Sequence, residues 1–341
     1  MPVRVGINGF GRTGRAAFRA AHESGAAIEW AGINEVMDLG MLAHLLRHDS
    51  VYGPFPGTVE VLERALRVDG TDIPVFAETD PAALPWGDVG AEVVIESSGH
   101  FRDRAGATKH LEAGARKVII SAPAKDPDVT VALGINFDDA YDPARHDIIS
   151  NASCTTGCLA PVVKVLHEAF GIRHGVMTTV HAYTGDQRLL DAPHKDYRRA
   201  RSAAVNLVPT STGAPKAIGL LIPDLLGRLQ GYAVRVPVPT ASMVDLTVEL
   251  ERETSVQAVN QAMRERADHG GLRGILHYSE EPLVSTDIVK SSYSSIFDAG
   301  LTIVTGGTQV KVVAWYDNEW GYSSRLVELA QRVLVPVPQA A

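Results

Sequence analysis

The run VRVGIN (Val3 to Asn8) leads straight into GFGRTG (Gly9 to Gly14), so a short strand feeds a glycine-rich turn that opens a helix. Gly25 is placed to end that helix, and IEWAGIN (Ile28 to Asn34) follows as a second strand. The order strand, turn, helix, strand is one βαβ unit, and it commits the N-terminal part of the chain to a parallel sheet. Glycines at Gly9, Gly11 and Gly14 let backbone N–H groups approach a pyrophosphate, whose charge the helix N-terminus favours. Glu35 comes about twenty residues after the last glycine, where a carboxylate can accept both ribose hydroxyls of an adenosine. An acid there repels a 2′-phosphate, which favours NAD over NADP. A bare tight turn beside a solvated strand end would account for the same residues less completely, because the motif follows a strand, opens a helix and lies inside one βαβ unit.

Its 341 residues exceed what one core usually holds. Apolar segments recur at AEVVIESSG (Ala91 to Gly99), ARKVIISAP (Ala115 to Pro123) and HDIISNAS (His146 to Ser153), short, β-branched and bounded by Gly or Pro, as buried parallel strands are. After Cys154 a helix runs to Gly171, with Pro161 expected in its early turns or at a kink. Beyond it the pattern changes. MVDLTVEL (Met243 to Leu250) alternates Val244, Leu246, Val248 and Leu250 with Asp245, Thr247 and Glu249, as a half-exposed antiparallel strand does. Tyr322, Leu326, Leu329 and Val333 fall at helical spacing near the end. The expected fold class is α/β: a Rossmann dinucleotide-binding domain over 1–152, completed by a C-terminal helix at 318–335, and an α+β catalytic domain over 153–317 with a largely antiparallel sheet.

A formal net charge of −8 and a pI near 5.8 argue against nucleic acid as a main partner, and RRARSAAVNL (Arg198 to Leu207) is a local basic cluster only. No run approaches the ~18 apolar residues a membrane helix needs, and no leader pattern opens the sequence, so a cytoplasmic location is expected. The two cysteines, Cys154 and Cys158, are too few for a disulfide framework and wrongly spaced for a zinc ribbon. The twelve histidines include no HExxH pattern, so no metal is expected.

Cys154 lies in SNASCTTGC (Ser150 to Cys158), between a strand-like segment and a helix. A cysteine at a helix N-terminus has its thiolate favoured by the dipole, and a nearby imidazole lowers its pKa further. TTVHAYT offers His181 as that imidazole. Taken alone, Cys154 would read as a buried, inert residue, and His181 equally as core or catalyst. The polar neck Ser153, Thr155 and Thr156 suits an oxyanion or phosphate pocket better than a core. Cys158, one turn further, reads as packing first and redox partner second.

With these motifs in view, NGFGR, SNASCTT, TTVHAYTGDQ, RRAR, PTSTGA, RVPVPT and WYDNEWGYS together resemble the phosphorylating glyceraldehyde-3-phosphate dehydrogenases over essentially the whole chain. The resemblance implies that Cys154 attacks an aldehyde to give a hemithioacetal with His181 as base, that a thioester follows, and that inorganic phosphate releases an acyl phosphate. It implies a substrate-phosphate site at Thr184 and Arg235, an inorganic-phosphate site at Ser153, Thr155, Thr212 and Gly213, and cofactor contacts at Asn8, Gly9, Phe10, Gly11, Arg12, Thr13, Glu35, Ser97, Gly99, Ser121 and Asn318. Asn318 is expected on the nicotinamide carboxamide. The long loop Gly185 to Ala204 resembles the segment that lines a neighbouring subunit's cofactor site in a homotetramer.

Several positions depart from the family pattern. Thr13 replaces a usual isoleucine, Glu35 an aspartate, Ser97 a threonine, Tyr293 a histidine, and Gly157 the asparagine of CTTN. Neutral drift is one reading. A paralogue with altered cofactor grip or reduced sensitivity to thiol-directed inhibitors is another. Glu35 and the text GMLAHLL (Gly40 to Leu46) also fit erythrose-4-phosphate dehydrogenase, while HAYTGDQ and PTSTGA match the phosphorylating enzyme's two anion sites.

Overall fold

A computed structural model describes residues 1–335 of the chain. The described residues fold into two compact units, one formed by Met1–Leu133, Phe137–Ala152 and residues 323–335, the other by Gly134–Asn136 and Ser153–Tyr322.

The first unit opens with β1 (Val3–Asn8), α1 (Arg12–Ser24), β2 (Ile28–Asn34) and α2 (Leu39–Arg47). Gly25 adopts φ 63° and ends α1, its N–H bonding the His22 carbonyl while that of Ala26 bonds Ala21. A meander not anticipated from the sequence follows: β3 (Val59–Val61), β4 (Ala65–Val68) and β5 (Thr71–Phe76), paired antiparallel. Then come β6 (Val93–Glu96), α3 (Arg104–Glu112), β7 (Lys117–Ile120), β8 (Val129–Thr130), α4 (Phe137–Ala140) and β9 (Ile148–Ser150). The sheet runs β3-β4-β5-β2-β1-β6-β7-β9-β8, and every pair from β5 onward is parallel. Chain order reverses direction between β1 and β6, the switch point where open α/β sheets leave a crevice beyond their carboxyl ends. Phe18, Leu42, Leu46 and Leu66 pack with Ile7 and Ile33 in one cluster, and Trp86 with Val94 and Ala31 in another. Burial in such clusters contributes about 1.5–3 kcal/mol per large apolar side chain and explains the near-continuous apolar strands.

The second unit consists of α5 (Cys154–Phe170), β10 (Ile172–Ala182), β11 (Val208–Ser211), α6 (Ala214–Leu221), β12 (Leu229–Val236), β13 (Ser242–Leu250), α7 (Val256–Asp268), β14 (Leu276–Ser279), β15 (Ser295–Thr305) and β16 (Gln309–Tyr316), with α8 (Trp320–Arg332) beginning in it. Its sheet order is β11-β12-β10-β13-β16-β15-β14. β10–β12 and β14–β15 pair in parallel and the other four pairs are antiparallel. On β13 the apolar alternates Val244, Leu246, Val248 and Leu250 are buried, and α5 packs against that strand and against β10, β15 and β16. Pro161 lies in the interior of the 17-residue α5 rather than in its first turns. Leu326, Leu329 and Val333 are buried, and the Val333 carbonyl accepts from the Tyr141 hydroxyl at 2.5 Å within the first unit.

Candidate active site

In the first unit a cleft of about 400 Å³ lies at the carboxyl ends of β1, β2 and β6, lined by Gly9 and Gly11 of the glycine turn, Glu35, Glu78 and the Ser97–Ser98 loop. A Cβ on Gly9, where φ is +91°, would stand 2.3 Å from the Ser98 nitrogen, and one on Gly14 would stand 2.2 Å from the Gly9 carbonyl oxygen. Only glycine lets these backbones meet. Gly11, the N-cap of α1, has nothing within 4 Å of its absent side chain, which leaves open backbone where a pyrophosphate would approach. The cradle fits a dinucleotide.

The expected cofactor residues divide into two sets. Asn8, Gly9, Gly11, Glu35 and Ser97 line this cleft. Glu35 Oε2 accepts the Phe10 N–H at 2.7 Å, so the carboxylate braces the turn as well as facing the cleft. Ser97 Oγ donates to the Gly9 carbonyl at 2.7 Å. Phe10 is a core residue with its ring edge-on to Phe18, and Arg12 is drawn to Asp49 at 2.5 Å with its guanidinium over Tyr52. Neither Phe10 nor Arg12 lines the cleft. Thr13 lies inside α1, Gly99 follows β6 with φ +77°, and Ser121 closes β7; none of the three lines the cleft. Asn34, Glu78, Thr79, Ser98, His100 and Phe101 line it in addition to the expected residues. Asn34 could have been found, since it ends β2 immediately before Glu35.

In the second unit Ser153 is the N-cap of α5, its Oγ accepting the Thr156 N–H at 3.2 Å, and Cys154 is the first helical residue. The chain reaches this cap through buried Ala152 at φ 49°, a left-handed conformation that a non-glycine residue adopts at a cost of order 1–3 kcal/mol. His181 projects from β10 and its Nε2 lies 3.6 Å from Cys154 Sγ. Nδ1 is 2.7 Å from the Ala182 carbonyl oxygen and 2.9 Å from Arg235 Nη1. With its proton on Nδ1 the ring donates to that carbonyl and turns the Nε2 lone pair to the sulfur, and Arg235, which can only donate, finds no acceptor at Nδ1. Arg235 Nη1 then donates to the same carbonyl at 2.9 Å and to Thr184 Oγ1 at 3.2 Å.

The standing thiolate expected from the helix dipole and the imidazole is not what burial favours here. Burial pushes the Cys154 thiol up, against the opposing pull of Arg235 and of the Thr155 hydroxyl and N–H. Burial and then Arg235 push His181 down to about 3. Both shifts come first from burial, and the 3.6 Å approach lets Nε2 take the thiol proton as the sulfur attacks. Cys158 is fully buried, within 3.7 Å of Ser295 Oγ and of the Ala314 carbonyl, and burial pushes its thiol well up.

Arg235 has no carboxylate partner among the described residues, and its buried Nε is without a hydrogen bond. A guanidinium kept in this way is suited to an anionic ligand. Thr184 donates to Asp186, which Arg199 holds at 2.5 Å while also bonding Thr210 Oγ1 at 2.9 Å. Asp186 and Arg199 extend the site beyond the expected residues, although both lie in the motifs that carry the resemblance. Thr155 Oγ1 lies 2.9 Å from the buried Tyr316 Oη, and the same hydroxyl acts on the Cys154 thiol. Thr212 Oγ1 accepts the Ala214 N–H at 3.3 Å, and Gly213 is the open N-cap of α6. Asn318 Oδ1 accepts from Ser242 Oγ at 2.9 Å, which leaves its NH₂ to donate elsewhere.

A dinucleotide fold in one chain with a thiol able to carry an acyl group defines a class, the dehydrogenases that oxidise an aldehyde while it is attached to the enzyme. Residues 3–104 match the family "Glyceraldehyde 3-phosphate dehydrogenase, NAD binding domain", and residues 153–318 match "Glyceraldehyde 3-phosphate dehydrogenase, C-terminal domain". The chain is 59% identical over 330 residues to glyceraldehyde-3-phosphate dehydrogenase 1 of Streptomyces avermitilis, covering 97% of this chain and 98% of that protein. It is 57% identical over 330 residues to glyceraldehyde-3-phosphate dehydrogenase 1 of Bacillus subtilis, with the same coverage. To the Priestia megaterium enzyme it is 56% identical over 333 residues, 98% of each chain. The chain belongs to the glyceraldehyde-3-phosphate dehydrogenase family, and it is an NAD-dependent oxidoreductase.

Proposed function

We propose that this enzyme oxidises D-glyceraldehyde 3-phosphate with NAD and inorganic phosphate to 1,3-bisphosphoglycerate, with Cys154 as nucleophile and His181 as general base. The observation that carries the reading is the 3.6 Å approach of Sγ to Nε2 with an arginine lacking a carboxylate partner beside it. His181 Nε2 takes the thiol proton as Sγ adds to the aldehyde carbon, and the Ala182 carbonyl steadies the imidazolium through Nδ1–H. NAD, when bound, supplies the acceptor for the hydride whose departure turns the hemithioacetal into a thioester. Arg235 and Thr184 hold the substrate's phosphate ester, while Ser153, Thr155, Thr212 and Gly213 offer the inorganic phosphate hydroxyl and backbone donors. Among the cofactor residues, Glu35 takes the adenosine ribose and the Asn318 NH₂ takes the carboxamide.

Association into a homotetramer is part of the same proposal. Leu189, Leu190, Tyr197, Val205 and Leu207 stand exposed on and after the long loop, which is nonetheless pinned by Arg201 to Asp191 at 2.7 Å and by backbone bonds from Ala192 to Ala200 and from Ala203 to Arg188. An ordered loop that displays large apolar side chains is suited to covering by other subunits. The basic cluster is largely neutralised within it, Arg199 by Asp186 and Arg201 by Asp191, which speaks for structure over nucleic-acid binding. Among the described residues no helix is long and apolar enough to cross a membrane, and we place the enzyme in the cytoplasm with its small-molecule substrates.

Phosphate dependence tests the function. With NAD and glyceraldehyde 3-phosphate, sustained reduction of the cofactor is expected only when inorganic phosphate is present, and a burst of one equivalent per site when it is absent. Steady phosphate-independent turnover would favour hydrolysis of the thioester and the erythrose-4-phosphate reading.

A further inference from the structure

Beneath the cofactor cleft lies a hydrogen-bonded chain that the proposed mechanism does not use. Glu96, at the end of β6, is buried, and no Lys or Arg among the described residues pairs with it. Its Oε2 accepts from Asn8 Nδ2 at 2.5 Å and lies 3.0 Å from His110 Nε2, and its Oε1 accepts from the Ser98 N–H at 2.8 Å and the Ser98 hydroxyl at 2.5 Å. Behind it the Trp86 indole N–H donates to His110 Nδ1 at 3.0 Å. An indole can only donate, so Nδ1 must accept and Nε2 carries the proton toward Glu96. In the other direction Asn34 Nδ2 donates to Asn8 Oδ1 at 2.7 Å and to the Glu78 carbonyl at 2.9 Å, and Asn34 Oδ1 accepts the Glu78 N–H at 2.9 Å.

Direction is what makes the chain informative. A carboxylate accepts only. It therefore obliges Asn8 to present NH₂ to it and Oδ1 to Asn34, which obliges Asn34 to present NH₂ to Asn8 and Oδ1 to the Glu78 amide. Asn8, Asn34, Glu78 and Ser98 all line the cleft, and they come from the ends of β1 and β2, the loop after β5 and the loop after β6. We infer that Glu96 is a positioning residue for the adenosine end of NAD, setting the orientation of two buried amides and so the relative placement of the four segments that wall the cleft. The inference rests on the assignment of this cleft to the adenosine half of the cofactor.

Glu96→Gln tests it with almost no change of shape. The new NH₂ meets either the Ser98 N–H or the donors on Asn8 and His110, and the second arrangement requires both asparagine amides to turn over, leaving the Glu78 N–H without its acceptor. The affinities of the apo-enzyme for AMP and NAD, measured by calorimetry, are expected to fall about ten-fold, the effect of roughly one lost buried hydrogen bond. Amide hydrogen exchange at Glu78 should quicken, while kcat at saturating NAD and the KM for the aldehyde stay near parental values. AMP affinity within about two-fold of the parent, or a parallel loss of aldehyde KM and kcat, overturns the inference. Should Glu96→Gln fail to fold, Trp86→Phe takes its place: it frees the His110 tautomer at the far end of the chain and should weaken AMP binding by a smaller factor, and unchanged AMP affinity there is equally fatal. Glu35→Ala separates the two levels. If it leaves AMP affinity intact, the adenosine assignment itself fails; if it weakens AMP while the Glu96 variant does not, only the positioning role does.

Discussion

The two sites solve opposite problems with similar residues. Both are lined by hydroxyls, amides and helix N-termini. The cofactor cleft has no Lys or Arg in its lining, and its shape is fixed by glycines and by neutral donors converging on a buried carboxylate. The thiol site is built around a permanent cation, Arg235, set beside two groups whose protonation must change. A ligand that enters and leaves whole is matched by rigid geometry. A substrate that changes its bonds is matched by charge that is present before it arrives.

The sharpest way to break this division is Cys154→Ser. Removing the nucleophile should lower kcat/KM by about 10⁴-fold or more. NAD affinity, measured by calorimetry on the same protein, should not move. Loss of both together would show that the two sites cannot be separated, and the comparison would collapse. Iodoacetamide labelling of the parent followed by peptide mass analysis should find Cys154 modified and Cys158 untouched, because only the first is partly exposed.

Arg235→Leu probes the cation itself. Losing a charge-assisted contact worth about 1.5–3 kcal/mol should raise the KM for the aldehyde phosphate by about 10–100-fold. The pH dependence has a definite sign. Arg235 favours the thiolate at Cys154 and opposes the imidazolium at His181, so its removal raises the pKa of both groups. The rate of Cys154 alkylation should then fall at neutral pH and recover only at higher pH than in the parent. An unshifted alkylation profile would mean that Arg235 acts on the ligand alone.

How much of this was legible in the residues depends on whether the signal is local. The glycine turn with Glu35, the helix opening at Cys154 and the alternating β13 are short-range patterns, and all three have counterparts in the structure. The β3–β5 meander was missed, although Asp69-Gly70 signals a tight hairpin and both residues take positive φ, at 47° and 81°. Other features depend on tertiary packing and leave no such trace. Nothing in the spelling of Arg12 shows that Asp49 and Tyr52 draw its side chain aside, or that the Thr155 hydroxyl meets Tyr316. Burial, which opposes the charged form at both Cys154 and His181, is equally invisible in the sequence, where only the helix start and the imidazole can be read.

The smallest effect concerns Gly157, the departure closest to the nucleophile. It lies in the first turn of α5, its N–H bonded to the Ser153 carbonyl at 2.8 Å, and a Cβ built there meets nothing within 4 Å. Packing therefore does not require glycine, and the backbone is helical. Gly157→Ala should stabilise the protein by up to about 1 kcal/mol, read from the denaturant midpoint at unchanged slope. Gly157→Asn should give a smaller gain, since asparagine is a weaker helix former. Because a Cβ there meets nothing within 4 Å, inactivation by iodoacetamide and by an epoxide should be the same in both variants as in the parent. A rate lower by more than about five-fold in the asparagine variant, a cost approaching 1 kcal/mol in the barrier, would instead make this glycine a determinant of access to the thiol. That result would tie reagent selectivity to one missing side chain and would revive the reading of a paralogue adapted to thiol-directed inhibitors.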